Sequence, residues 1–284
     1  MGKSIAIIGL GGAGSNAINR IKAKSDAYCI RIDTDDAKNR ETQLRSKADE
    51  QILLNPNAIG VNPSLSETEV YDIQRVLKEH KVIIMCVGLG GNTGSYIAPI
   101  VAKLANEQGK FVIAVMYKPF LFEGRKRSEI ALDAVPNLQA ESDYSVIIAN
   151  EKLKQLGQVK SLLSAFSVAD DIVVDVIETI EHVLQNHFTA LGTTEASPLN
   201  SSKCLVCKSF VKDNISKCPV CGFGSASYEF INKEEADAWF NIHVIPARQA
   251  WKASHGNNNG GNITSLIEAL NDTLSQNVII DYYG

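Results

Sequence analysis

A chain of 284 residues with 45% hydrophobic and 21% charged side chains carries enough apolar material for one large domain, or one domain with an attachment. Its net charge of −4, without a basic tract, argues against wholesale nucleic-acid binding, and it lacks the run of about 18 apolar residues that a membrane-spanning helix needs. The opening Met-Gly-Lys-Ser-Ile-Ala enters a strand pattern without a signal peptide, and without the Ser or Thr at its sixth position that myristoylation needs, so a cytoplasmic protein is expected.

Residues 4 to 9 are apolar on both faces, the mark of a buried parallel strand. Gly9-Leu10-Gly11-Gly12-Ala13-Gly14-Ser15-Asn16 then turns into a helix that reaches about residue 24. A second strand, 28 to 32, ends on Asp33-Thr34-Asp35-Asp36; a third, 52 to 54, precedes a loop holding Gly60-Val61-Asn62-Pro63. A helix over about 66 to 79 leads to the apolar strand 82 to 87, which empties into Gly88-Leu89-Gly90-Gly91-Asn92-Thr93-Gly94-Ser95 and a helix to about 108. Strand 111 to 115, the loop 117 to 124, a helix to about 139 and strand 144 to 148 complete the series. This alternation predicts an α/β fold, a doubly wound parallel sheet with helices on both faces.

A long helix follows over about 160 to 187, where Phe166, Ala169, Val173, Val176, Ile177 and Ile180 recur at helical spacing. Residues 189 to 203, rich in Ser, Thr and small side chains, read as a linker. The remainder, 204 to 284, reads as a small region with a helix over 234 to 240, a flexible loop over 255 to 262, a helix over 264 to 274 capped by Asn262 or Thr264, and a strand over 278 to 280. The predicted division is a domain over 1 to 188, the linker, and this region.

Six cysteines divide into two kinds. Cys29 and Cys86 lie in apolar runs and read as core filler. Cys204, Cys207, Cys218 and Cys221 form two Cys-x-x-Cys arms ten residues apart, the spacing of a structural zinc site in which both sulfurs of each arm reach one ion. Gly222 permits the tight turn that brings backbone N–H groups to thiolates. Iron in a rubredoxin-like arrangement is the alternative, distinguishable by colour, while a disulfide is disfavoured in the cytoplasm. A closed four-thiolate site supplies folding energy that a small core cannot.

Glycines let backbone N–H groups converge on a ligand, and the helix N-terminus behind adds partial positive charge, so each glycine loop is a phosphate cradle. Gly9-x-Gly11-x-x-Gly14, with Asp33 at the end of the second strand, also fits a dinucleotide fingerprint and, alone, a nicotinamide or flavin enzyme. A second cradle of equal quality points instead to a triphosphate held between two loops.

These residues carry a resemblance. Over about residues 3 to 187 the chain resembles the FtsZ/tubulin superfamily of GTP-binding proteins. Gly9 to Asn16 resembles that family's first loop. Residues 90 to 95 resemble the tubulin signature G-G-[GN]-T-G-[ST]-G, departing at the last position, where Tyr96 stands. Residues 118 to 127 match K-P-F-x-F-E-G-x-x-R; Asp33-Thr34-Asp35 stands for the family's N-T-D, and 60 to 63 for its G-x-N-P. The resemblance implies that Gly11, Gly12, Ala13, Gly14, Ser15 and Asn16 line the first phosphate loop. It implies that Gly90, Gly91, Asn92, Thr93, Gly94 and Ser95 hold the β- and γ-phosphates, with Gly60 and Asn62 near the γ-phosphate and Asp33 and Pro119 at the site. Glu123 would accept from the ribose hydroxyls, Arg127 would lie along sugar and phosphate, and Asn150 would reach sugar or base. Phe166 would stack on guanine, and Asp170, one turn on, would accept from N1–H and the 2-amino group, favouring GTP over ATP. Read without the resemblance, Phe166 is core, Asp170 a solvated helix face, and Arg127 one of an exposed Arg-Lys-Arg run.

One departure bears on mechanism. In FtsZ and tubulin a loop N-x-D-x-x-D after the long helix enters the next subunit's site and positions the hydrolytic water. The corresponding stretch here, 184 to 192, has no Asp or Glu. The expectation is therefore a nucleotide-gated regulatory or interaction module that binds GTP or GDP, with Mg2+ accompanying GTP. Hydrolysis would be weak or partner-dependent, no catalytic residue is assigned, and no ordinary head-to-tail filament is expected. A protein partner or a second copy would dock through the nucleotide face or the zinc region. Two alternatives stand beside it. One is an active polymerising GTPase whose acid comes from a partner or from Asp213 or Glu229. The other is an ATP-dependent adenylyltransferase of the ubiquitin-activating type.

Overall fold

The computed structural model describes residues 5–34, 45–55, 63–153, 161–190, 201–207, 210–212, 217, 218, 220–223, 240–255 and 261–274. These fall into two compact units, one within residues 1–181 and 274–284, the other within 182–273.

The first unit is the doubly wound sheet. Its strands are β1 (Ile5–Leu10), β2 (Tyr28–Thr34), β3 (Glu50–Leu54), β4 (Val82–Gly88), β5 (Phe111–Lys118) and β6 (Tyr144–Ala149). All neighbours pair parallel, in the order β3-β2-β1-β4-β5-β6. The register places Ile8 beside Ile30 and Met85, and Gly9 beside Arg31 and Cys86. One face buries Ile8, Leu10, Ile30, Met85, Val112 and Ala114 under α2 (Glu67–Lys78), α3 (Ala98–Glu107) and α4 (Arg125–Ala140). Burial on both faces is why β1, β4 and β5 read as continuous apolar runs. The helix α1 (Gly11–Lys24) packs on β1, β2 and β4. A short α5 (Asn150–Leu153) follows β6, and the long helix is α6 (Leu162–Ala190). α6 pairs with α1: Lys24 Nζ stands 3.9 Å from both Asp175 and Glu178.

Several boundaries differ from expectation. β2 runs two residues further, so that Asp33 and Thr34 belong to the strand. The helix after the second glycine loop opens with a π turn, Thr93–Ile97, before α3; a wide turn accommodates a loop folded back on its own strand. α6 remains helical through Ala190, so most of the stretch compared with the family's catalytic loop is helix here, and 191 and 192 lie outside the described residues.

The second unit holds a hairpin, β7 (Ser201–Lys203) paired antiparallel with β8 (Phe210–Lys212), then α7 (Ile245–His255), preceded by a π turn Phe240–Val244, and α8 (Gly261–Leu274). β7 lies in the stretch that reads as linker. α8 starts at Gly261, three residues before the predicted start, because Gly and Asn serve helix starts as readily as loops. α7 is absent from the sequence reading, although Pro246 in its first turn is a helix-start signal. The predicted helix 234–240, apart from Phe240, and the strand 278–280 lie outside the described residues. Among the described residues no helix is long and apolar enough to cross a membrane.

Candidate nucleotide site

With strand order 3-2-1-4-5-6 the direction of winding reverses between β1 and β4, and a crevice opens at the carboxyl ends of those two strands. Both glycine loops leave from these ends, and they meet. A Cβ on Gly11 would lie 3.3 Å from Thr93 Cβ and 3.6 Å from Gly94 N. Gly11 has φ +70°, a conformation glycine adopts without strain. At Gly12 and Gly91 an added Cβ would meet nothing within 4 Å, so these two residues face open space where a phosphate can approach the backbone. No acidic side chain stands in the first turn of α1 and no side chain caps it, which leaves its first N–H groups and dipole directed at the crevice.

A buried polar chain braces the two loops from below. Ser15 Oγ donates to Gly11 O at 2.8 Å and accepts from Arg31 Nε at 2.7 Å. Arg31 is fully buried and places Nη2 2.6 Å from Asp33 Oδ2. The other Asp33 oxygen accepts from Thr34 N at 2.9 Å and from Thr93 Oγ1 at 3.3 Å. Asp33 thus joins the site through Thr93. A buried charge is tolerable when paired and hydrogen-bonded in this way.

The residues expected at sugar and base follow β5 and β6 or lie on α6. After Pro119, Glu123 Oε1 accepts from Phe120 N at 2.8 Å and its Oε2 from Arg127 Nη1 at 2.7 Å. Arg127 also reaches the second cradle through its backbone, since a Cβ on Gly90 would lie 2.7 Å from Arg127 O. Asn150 is buried, and its Oδ1 has no hydrogen-bond partner among the described residues. Phe166 is 44% exposed, against the reading of it as core, and stands edge-on to Phe120 and Phe122, with ring centroids 5.5 and 5.9 Å away. The Asp170 side chain is only 17% exposed, against the reading of a solvated face, and Arg20 Nε lies 3.5 Å from its Oδ2. Burial pushes the Asp170 carboxyl up from 3.8 to about 6, with Arg20 pulling it down and Asp171 pushing it further up. Gly60 and Asn62 lie outside the described residues, as do Asp213 and Glu229.

Residues 4–158, more than half of the chain, match the family described as Tubulin/FtsZ family, GTPase domain. The chain belongs to the Tubulin/FtsZ family. Cell division protein FtsZ 1 of Methanocaldococcus jannaschii is 30% identical over 191 residues, 63% of this chain and 51% of that protein. FtsZ of Pseudomonas putida is 34% identical over 190 residues, 64% of this chain and 48% of its own length. The solved structure titled "FtsZ dimer, empty", from M. jannaschii, superposes with a TM-score of 0.54 at 30% identity, covering 62% of this chain and 53% of that one. The chain therefore spans about half the length of the FtsZ proteins it matches.

Within this family fold, three residues escape the motif reading. Arg31 is hidden in an apolar strand. Arg20 donates to Ser167 Oγ at 3.1 Å and also pairs with Asp171, joining α1 to the first half of α6. Tyr117, at the end of β5, is buried against Gly88, and its hydroxyl has no partner among the described residues. Burial holds that phenol well above its usual range, with Cys86 and Asp170 adding to the effect. A nucleotide fits the glycine loops, where Gly12 and Gly91 leave open space beside the backbone.

In the second unit Cys204, Cys207, Cys218 and Cys221 bring their sulfurs within 4.8 Å of one another. The Cys204–Cys221 and Cys207–Cys218 sulfur pairs are each 3.6 Å apart, near the roughly 3.8 Å edge of a tetrahedron with ~2.3 Å zinc–sulfur bonds. The first arm caps the β7–β8 hairpin. In the second, Gly222 at φ +73° donates to Cys218 O at 2.9 Å. Trp251 and Ala247 of α7 pack against the cluster, and Arg248 hydrogen-bonds Leu205 O.

Proposed function

We propose that this chain is a guanine-nucleotide-binding regulatory or interaction module that hydrolyses GTP weakly or only with a partner. The observation that carries the binding half is the contact between the two glycine loops at the switch point, 3.3 Å from the Gly11 Cβ position to Thr93. One polyphosphate bridges such a pair, whereas a dinucleotide needs only one cradle. Residues 11 to 16 and 90 to 95 would surround the phosphates, Asp33, Gly60 and Asn62 would complete that end, and Pro119, Glu123, Arg127 and Asn150 would hold the ribose. Phe166 and Asp170 would read guanine. The absence of an acid from residues 184 to 192 supports the hydrolytic half, because attacking water needs a group to orient it. Four clustered thiols support a structural zinc ion holding the hairpin and α7 together. The division at about residue 188, self-association or partner docking through the nucleotide face or the zinc region, and a cytoplasmic location belong to the same reading.

Titration of the purified chain with labelled GTP, ATP and NAD tests it. Tight, saturable GTP binding with weak ATP and NAD binding is expected. Preference for ATP would restore the adenylyltransferase reading, and preference for NAD would overturn the two-cradle argument. Brisk, concentration-dependent turnover with filaments by electron microscopy would overturn the hydrolytic half alone.

A further inference from the structure

Three hydroxyls stand in the glycine loops, and their protons go to different places. Ser15 donates to Gly11 O. Thr93 donates to Asp33 Oδ1 at 3.3 Å. Ser95 Oγ accepts from Gly90 N at 2.9 Å, and among the described residues its own proton meets no acceptor. Asp33 is held in its role, since Oδ2 faces the Arg31 guanidinium at 2.6 Å and Oδ1 faces Thr34 N at 2.9 Å. Both neighbours can only donate, so the carboxylate is oriented as an acceptor toward Thr93.

We propose that this arrangement divides the labour in the second cradle: Thr93 serves the divalent cation that accompanies a guanosine triphosphate, and Ser95 serves a phosphate oxygen. A threonine hydroxyl has one proton. With that proton on Asp33, Thr93 offers lone pairs alone to anything on its other side. Lone pairs repel an anionic phosphate oxygen and suit a hard cation or a water in its shell. Ser95, its lone pair on Gly90 N–H, keeps a proton to donate. Arg31 and Asp33 are then positioning residues that set the polarity of the Thr93 hydroxyl, and it is through Thr93 that Asp33 completes the phosphate end. The inference rests on the guanine-nucleotide reading above and goes beyond the resemblance, which puts both hydroxyls on phosphates alike.

The test measures binding of a fluorescent, slowly hydrolysed GTP analogue to the full chain, with Mg2+ and with EDTA, and retention of Mn2+ in the nucleotide complex by electron paramagnetic resonance. Thr93→Val, which keeps the shape, is expected to lose most of the strengthening by Mg2+ and to release Mn2+ roughly tenfold to a hundredfold more readily, with a much smaller loss of affinity in EDTA than in Mg2+. Ser95→Ala is expected to weaken binding by the same factor in both buffers. The double variant Arg31→Leu with Asp33→Val leaves Thr93 in place but releases its proton, and is expected to mimic Thr93→Val. Equal weakening of Thr93→Val in Mg2+ and EDTA, or an intact Mg2+ effect, overturns the proposal. Wild-type binding that ignores Mg2+ overturns it alone, whereas no guanine-nucleotide binding in either buffer overturns the reading beneath it as well.

Discussion

Replacing Asp170 by Asn tests the base-reading end with one atom. Guanine presents N1–H and its 2-amino group on one edge, and a carboxylate accepts from both; an asparagine keeps one acceptor and turns an NH2 against the remaining donor. A lost hydrogen bond to a charged group costs about 1.5–3 kcal/mol, which corresponds to roughly a 10- to 150-fold loss in GTP affinity. Xanthosine triphosphate carries a carbonyl where guanine has the amine, so Asp170→Asn should gain affinity for it. Arg20 still reaches Asp171 and Ser167 in the variant, so the fold should hold. The raised pKa, about 6, gives the experiment a second axis. Wild-type GTP affinity should fall as pH drops through that value and the acceptor is protonated, while the variant stays flat. Stability of the nucleotide-free protein should move the opposite way. A carboxyl whose folded pKa lies above its unfolded value of 3.8 contributes stability below that value, lost as pH rises through about 6. Competition titrations with GTP, XTP and ATP at several pH values, with thermal melts alongside, read both. Unchanged GTP affinity in Asp170→Asn, or an equal pH slope in variant and wild type, would refute Asp170 as the guanine acceptor.

Arg31→Leu leaves the buried Asp33 carboxylate without its counter-ion and should destabilise the chain by about 3–5 kcal/mol in urea melts, with Arg31→Leu/Asp33→Asn recovering most of it. Gly94→Ala drives a methyl group into the Gly88 carbonyl oxygen, whereas Gly91→Ala points into open space; the first should cost about 1–3 kcal/mol, and the second should leave the melting temperature unchanged while weakening nucleotide binding. Metal analysis should find one zinc per chain, and chelation or Cys207→Ser should shift Trp251 emission to the red as α7 comes away from the cluster. Wild-type GTP turnover should stay slow and show no rise with protein concentration.

The sheet was legible because strands buried on both faces leave continuous apolar runs, and each glycine loop because its spacing is local. That the loops face one another was not local: it depends on β1 and β4 being neighbours, which follows from the strand order. Arg31 shows where reading stopped and what could have carried it further. In a strand, residues two apart share a face, so an arginine two residues before an acid, at the end of an apolar strand, marks a candidate buried pair. Arg20 offers no such clue, since its partners lie about 150 residues away on α6. Phe166 repeats at core spacing, yet its ring is left half exposed beside two other phenylalanines, and only the packed structure separates that from burial. Tyr117 hides because it reads as the start of the loop 117 to 124, whereas β5 runs on through Lys118 and carries its ring into the core.

Charge balance ties these observations together. A guanosine triphosphate brings several negative charges, yet each arginine described around the crevice already has a carboxylate: Arg20 has Asp170 and Asp171, Arg31 has Asp33, and Arg127 has Glu123. Beside these paired arginines stand the converging N–H groups and the dipoles of α1 and of the helix after the second loop, each equivalent to roughly half a charge. Two half-charges do not balance a triphosphate. On the proposal above a divalent cation would make up the difference, held beside a hydroxyl whose proton is turned toward Asp33. Affinity for GTP should therefore depend more steeply on Mg2+ than affinity for GDP does, because the γ-phosphate adds charge that Arg20, Arg31 and Arg127, each already paired with a carboxylate, are not free to meet.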